Sequence, residues 1–288
     1  MGWLTIPSWQ GISGIVAIAT LIVTLVPYFR RKQRQKNHAA EVVERFVYLF
    51  KAHGIERTQI PRFLSEDSGI TVADVSTDER LLHVLDEKTL NAVCDKFGVR
   101  RRWLDGADKQ VYDLLYHCKD LPEYLSFIKT ITGKHPDEFC FLYAYKPGDT
   151  STDLFKSRPD ISLVFAEPIA EIDQQTIYRY YPLSCPLPWG NTEARFNLYA
   201  FFTLAFSTHG LVLKGHDVSS KFITELAEGK IIPEVMKIKG IWHPDEYAFS
   251  AISHEMPMDS HEIDEFWKYI NKKGWLKLFD EGIITRPK

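Results

Sequence analysis

The sequence predicts an α+β protein in three parts: an N-terminal transmembrane helix, a small all-α unit, and a C-terminal α+β domain with a mainly antiparallel sheet. Three observations predict it. No charged side chain occurs from Met1 to Phe29. Short helical patterns separated by turn residues fill residues 41–106. Beyond residue 110, strand-like runs come first and helical patterns follow, the order of an α+β domain. The parts divide at 1–37, 38–110 and 111–288, in a chain of 288 residues with room for two domains.

The apolar core of the first part is Ile12–Phe29, "ISGIVAIATLIVTLVPYF". A helix needs roughly 17–25 apolar residues to cross a bilayer. Trp3, Trp9 and Tyr28 flank the run, where amphipathic rings favour the headgroup region. The five basic residues of Arg30–Lys36 follow directly. A cleavable signal peptide has its basic residues before the apolar run, the reverse of this order. The basic flank stays cytoplasmic, which predicts a single-pass protein of the inner membrane with its N-terminus outside and the bulk of the chain inside.

Charge argues against a broad nucleic-acid face. Residues 41–110 carry 11 basic and 13 acidic side chains, and residues 111–288 carry 19 and 25. Both parts are net acidic, whereas phosphate binding needs a basic surface. Cys94, Cys118, Cys140 and Cys185 form no CxxC pair and match no zinc spacing. Dispersed cysteines suit a reducing compartment, in agreement with the orientation.

In the helical part, "EVVERFVYLFKAH" (41–53) carries one apolar stripe at helical spacing, and Gly54 ends it. "AHGIERTQIPRFL" and "LNAVCDKFGVRRRWLDG" resemble, respectively, the first turn with second helix and the closing segment of the lambda-repressor/Cro class of helix-turn-helix domains. The resemblance covers residues 41–106. It implies that Phe97 and Val99 plug a core, that Gly98 is a left-handed cap, and that Trp103 and Leu104 close the last helix. That family reads DNA with a polar, basic third helix. Here the corresponding stretch, "SEDSGITVADVSTDE" (65–79), has five acidic residues and no basic one. Duplex binding is therefore expected to be weak, and contact with a protein partner is the favoured use. Arg100, Arg101 and Arg102 are the candidates to touch DNA or a partner, although a solvated turn is the favoured reading of them.

In the third part, "EFCFLYAY" (138–145), "ISLVFAEPI" (161–169), "QTIYRYYPL" (175–183) and "LVLKGHDV" (211–218) read as strands. Asn191, Ser219 and Asp259 are placed to cap three helices, the last two ended by Gly229 and Gly274. The helix after Asn191 is apolar nearly all round. Because Asn197 and the run Ser207–Gly210 are unsuited to lipid, it reads as a buried central helix rather than a second span. "KHPDEFCFLYA" (134–144) and "WHPDEYAFSAI" (242–252) share a His-Pro-Asp-Glu-aromatic turn, expected in each case to lead into a strand.

No GxSxG, P-loop or GxGxxG occurs, and the sequence names no cofactor and no metal. His135, His209, His216, Asp217 and His243 form the candidate polar cluster; a surface or capping role is the commoner fate of each. His254, Glu255, His261 and Glu262 lack metal spacing, with Pro257 between the histidines. The aromatic segment "YRYYPLSCPLPWG" suits either a concave pocket or plain core. Two functions remain. One is a membrane-tethered regulatory or sensor protein that contacts a partner through its helical unit and senses a ligand or partner through its α+β domain. The other is a membrane-anchored effector enzyme, such as one of a bacterial defence system, with its site in the α+β domain.

Overall fold

A computed structural model describes residues 38–64, 68–115, 120–148, 154–233, 238–253 and 257–280. The expected span at 12–29 lies outside them. Among the described residues no helix is long and apolar enough to cross a membrane. The fold class is thus corrected: the described protein is α+β with a mixed sheet and no membrane helix.

The helical unit opens with α1, residues 38–52, whose stripe buries Val43, Phe46, Leu49 and Phe50. Gly54 takes φ +79° and stops it, with the Ile55 N–H bonded back to the Phe50 carbonyl. A 3-10 turn, Arg57–Gln59, leads into α2 (Ile60–Leu64). A second 3-10 turn, Asp74–Ser76, precedes α3 (Asp78–Val84), capped by Thr77. Helix α4 (Glu87–Phe97) is capped at its start by Asp86, which accepts from the Thr89 N–H at 2.7 Å, and at its end by left-handed Gly98. The short α5 (Arg101–Leu104) buries Trp103 and Leu104. Arg45 of α1 donates to the carbonyls of Trp103 and Asp108, fastening the first helix to the last.

After α6 (Leu121–Thr132) comes the sheet, in the order β3-β2-β1-β4-β5. Its strands are β1 (Cys140–Pro147), β2 (Asp160–Ile172), β3 (Gln175–Pro188), β4 (Leu211–Val218) and β5 (Gly240–Trp242). A single turn, α7 (Leu154–Ser157), sits between β1 and β2. Strands β1, β2 and β3 pair antiparallel, but β1 and β4 run parallel. The reason is the connection. The chain leaves β1, makes the β2–β3 hairpin, crosses one face as α8 (Thr192–Ser207), and re-enters beside β1 in the same direction. That crossover makes the sheet mixed: three of its strand pairs are antiparallel, as expected, and the β1–β4 pair is parallel.

On the α8 face, α6, α10 (Pro244–Ser253), α11 (Ser260–Lys272) and α12 (Leu276–Asp280) complete a layer. Helix α8 buries Phe196 through Ala205 without a break, as the central-helix reading expects. Asn191 caps it, and the turn before β4 ends its apolar run. The second His-Pro-Asp-Glu turn opens α10, not a strand. Pro244 stands at the helix start, where its missing N–H costs nothing, and Asp245 and Glu246 suit the positive end of the helix dipole.

The opposite face is covered by the helical unit and α9 (Ser220–Ala227). One apolar cluster runs from Phe46, Phe50 and Phe97 to Val164, Ala166 and Tyr180 of the sheet. The β2–β3 hairpin turns through Asp173 and Gln174, both at positive φ, the geometry of a two-residue hairpin. Its tip grips the helical unit: Arg62 pairs with Asp173 at 2.8 Å and Gln59 donates to the same carboxylate at 3.0 Å. Arg179 of β3 donates to the Asp95 carbonyl at the end of α4 at 2.9 Å.

A shared core predicts shared unfolding. Phe97 is wholly buried against Phe50 and Phe63. Phe97→Ala should lower stability by about 3–5 kcal/mol and shift one cooperative transition in urea. Separate transitions for the helical unit and the sheet, read by fluorescence and far-UV circular dichroism, would contradict this packing.

Candidate functional site

The three arginines at 100–102 do not present a common basic face. Arg100 pairs with Asp108 at 2.9 Å and Asp113 at 3.2 Å. Arg101 bridges Glu87 at 2.7 Å and Asp105 at 2.8 Å, and donates to Asn91. Both hold α4, α5 and the following loop together, while Arg102 is exposed. In the would-be recognition stretch, residues 65–67 lie outside the described structure. Residues 68–77 form turns, and the Asp74 carboxylate is used locally by the N–H and hydroxyl of Thr71.

The expected histidine cluster is dispersed. His209 is exposed in the turn between α8 and β4. His135 sits in the loop after α6. His216 and Asp217 are neighbours in β4 and so face opposite sides of the sheet. Asp217 pairs with buried Lys146, its register partner on parallel β1, at 2.7 Å. Asp217 and His243 do share a cavity, about 230 Å³ in volume, with Lys146, Trp242 and Tyr247. His261 is exposed on α11, and His254 lies outside the described residues. No His, Cys, Asp and Glu group among the described residues is arranged to hold a metal ion.

Two sites are built around residues that sequence reasoning singled out only in part. The first lies on the sheet face that meets the helical unit. Alternation along β1 sends Tyr143 and Tyr145 to that face, and their register partners on β4 are Lys214 and His216. Tyr180 of β3 joins them, and Pro233 and Ile238 close a pocket of about 240 Å³. The His216 ring lies 5.3 Å from Tyr143 and 5.7 Å from Tyr145, centroid to centroid. Burial pushes all three phenols upward, Tyr180 to about 12, so the walls are neutral. Burial, and then the Lys214 ammonium, lower the proton affinity of His216, against an opposing pull from Asp217. Its Nδ1 is buried without a hydrogen-bond partner among the described residues. Tyr180 also faces the other way: it stacks on His53 of the helical unit at 5.3 Å, and His53 meets Phe97 at 4.3 Å. The pocket wall is therefore part of the helical unit's core.

The second site is a polar cleft of about 570 Å³ at the seam, lined among others by Lys96 of α4 and by His135, Glu167 and Arg179. Glu167 of β2 is only 7% exposed. Its carboxylate accepts from the Tyr181 hydroxyl at 2.5 Å and meets His135 Nε2 at 3.1 Å. Arg179 lies over the Tyr181 ring at 4.8 Å. Burial, and then the bond to Glu167, push the Tyr181 phenol well upward. The sequence did carry a signal for this site: Glu167 is a lone acid inside the apolar run "ISLVFAEPI".

The depressed His216 gives a pH dependence with a definite sign. Unfolded, the imidazole takes up a proton near pH 6.5; folded, it resists to lower pH. Stability therefore falls as pH drops through about 6.5, and this loss is complete once folded His216 is protonated. His216→Gln should reduce the difference in urea midpoint between about pH 7.5 and about pH 5. An unchanged difference would place the titration elsewhere.

Set against known protein families, curated proteins and solved structures, the chain matches none.

Proposed function

We propose that the protein is a regulatory sensor whose α+β part takes a small ligand in the aromatic pocket and whose helical unit contacts a partner. One observation carries this reading: Tyr180 is both a wall of the pocket and a packing partner of His53 in the helical core. A ligand can shift a conformational equilibrium only by the difference in its affinity for the two states. A ligand that presses on Tyr180 acts on the helical unit without an intermediary. Attachment to the inner membrane belongs to the same proposal and rests on the uncharged run Met1–Phe29 and the basic flank Arg30–Lys36. Chain lacking residues 1–37 should no longer sediment with carbonate-washed membranes.

Hydrogen exchange on the full chain against a panel of small metabolites tests the coupling. A pocket ligand should slow exchange in residues 46–53 and 93–97 as well as in β1 and β4. Protection confined to the strands would defeat the sensor reading.

The partner is proposed to be a protein rather than DNA, because Arg100 and Arg101 are spent on internal carboxylates. Random duplex should bind no tighter than about 1 μM at about 150 mM salt, within the usual non-specific range. Tighter binding by fluorescence anisotropy would reverse that assignment.

The effector-enzyme reading has one observation in its favour, the His135–Glu167–Tyr181 array, in which a carboxylate orients an imidazole at the mouth of a cleft. On that reading His135→Gln abolishes an activity while leaving the thermal transition in place.

A further inference from the structure

We infer that the aromatic pocket is a site for a compact aromatic carboxylate: one planar ring system bearing the anion. The inference rests on the pocket of the sensor reading but not on its coupling to the helical unit.

Size sets the first limit. Pockets for drug-sized ligands run from roughly 300 to 1,000 Å³, and this one is about 240 Å³. It holds one ring system and excludes a ring joined to a sugar. Wall chemistry sets the second. Three phenols and a neutral imidazole present ring faces and edges, with Pro233 and Ile238 completing an apolar enclosure. Offset and edge-on packing against such walls favours a flat π-system over an aliphatic ring of equal volume.

Charge sets the third limit. Among the described residues, the one charged side chain in the lining is Lys214. Its ammonium lies 4.4 Å from the Phe141 ring centroid, and it makes no ion pair among the described residues. The neighbouring carboxylate, Asp217, points to the other face and is paired with Lys146. Among the described residues the pocket therefore offers a cation with no competing anion in its lining.

Register sets the fourth. Lys214 is the strand-to-strand partner of Tyr143. Both side chains rise from the same face of neighbouring strands about 4.8 Å apart, so a ring packed on Tyr143 stands beside the side chain that carries the cation.

Isothermal titration of the full chain with five probes tests this: benzoate, 4-hydroxybenzoate, cyclohexanecarboxylate, benzamide and adenosine monophosphate. The two aromatic carboxylates should bind, with the other three at least about tenfold weaker. Lys214→Gln, at an exposed position, should weaken the carboxylates about tenfold and leave any benzamide binding unchanged. Tyr143→Leu should remove the preference for benzoate over cyclohexanecarboxylate, with a thermal melt confirming that the fold survives. No heat from either aromatic carboxylate at about 1 mM overturns the inference. Equal binding of cyclohexanecarboxylate, tighter binding of the nucleotide, or indifference to Lys214→Gln also overturns it. Hydrogen exchange in the same samples separates the two claims. Carboxylate binding without protection of residues 46–53 upholds the ligand class and defeats the sensor. Protection there by a ligand that is not an aromatic carboxylate upholds the sensor and defeats the ligand class.

Discussion

Strand β2 is buried from Ile161 through Pro168, so the sheet has no face to give to water. A strand buried on both sides needs two covering layers, and the chain supplies them from different places. Helices α8, α6, α10 and α11 cover one face. The other is left to α9 and to a helical unit that precedes the sheet in sequence. Burial of this area stabilises at roughly 25 cal/mol per Å² of apolar surface removed from water. Neither the helical unit nor the sheet retains that contribution alone. The hairpin grip on Asp173 and the reach of Arg179 to α4 are polar contacts along the edge of an apolar joint. Their part is to fix its geometry more than to supply its strength.

The same constraint explains where the polar chemistry sits. A carboxylate in a strand buried on both faces must find partners, because an isolated buried charge costs far more than a hydrogen bond returns. Glu167 finds them in His135 and Tyr181, and Lys146 finds Asp217 on the neighbouring strand. Both arrangements lie where a covering layer ends and the sheet meets a cleft or cavity. Gly240 reflects how tightly one is closed: a Cβ there would stand 2.9 Å from Asp217 Oδ2. Gly98 does the same at the seam. Its left-handed turn ends α4, and a side chain there would collide with Arg179.

Local chemistry was legible in the sequence, and adjacency was not. The caps at Asn191, Ser219 and Asp259 stand where their side-chain oxygens were expected to act, each accepting from the N–H three residues on. The four long strands lie within a few residues of their predicted ranges, because β-branched and aromatic runs are a local signal. Helix α6 shows the same kind of stripe, at Leu121, Tyr124, Leu125, Ile128 and Ile131, yet it is absent from the expected elements. The parallel β1–β4 pair depends on how α8 crosses the sheet, which no window of residues contains. The repeated His-Pro-Asp-Glu motif opens a strand once and a helix once. A proline followed by acids suits a helix start as well as a turn, and the packing beyond it decides. Of the site, Tyr180 was legible only as part of an aromatic run suited to pocket or core, and it serves as both. Arg100 and Arg101 could be read only as a solvated turn or a phosphate contact, because their partners, Asp108, Asp113 and Glu87, are set by the fold.

The seam is not fully satisfied, and that bears on how a pocket beside it can act. The Tyr112 hydroxyl is buried with no hydrogen-bond partner among the described residues, and burial pushes its phenol well upward. An unsatisfied buried hydroxyl costs roughly 1–3 kcal/mol. Tyr112 belongs to the cluster that joins the helical unit to the sheet, in the company of Tyr145 and Tyr180. Close-packed interiors answer such a deficit by moving between discrete arrangements rather than by gradual deformation. Tyr112 thus marks, beside the aromatic pocket, a point of the seam where close packing is achieved without full polar satisfaction.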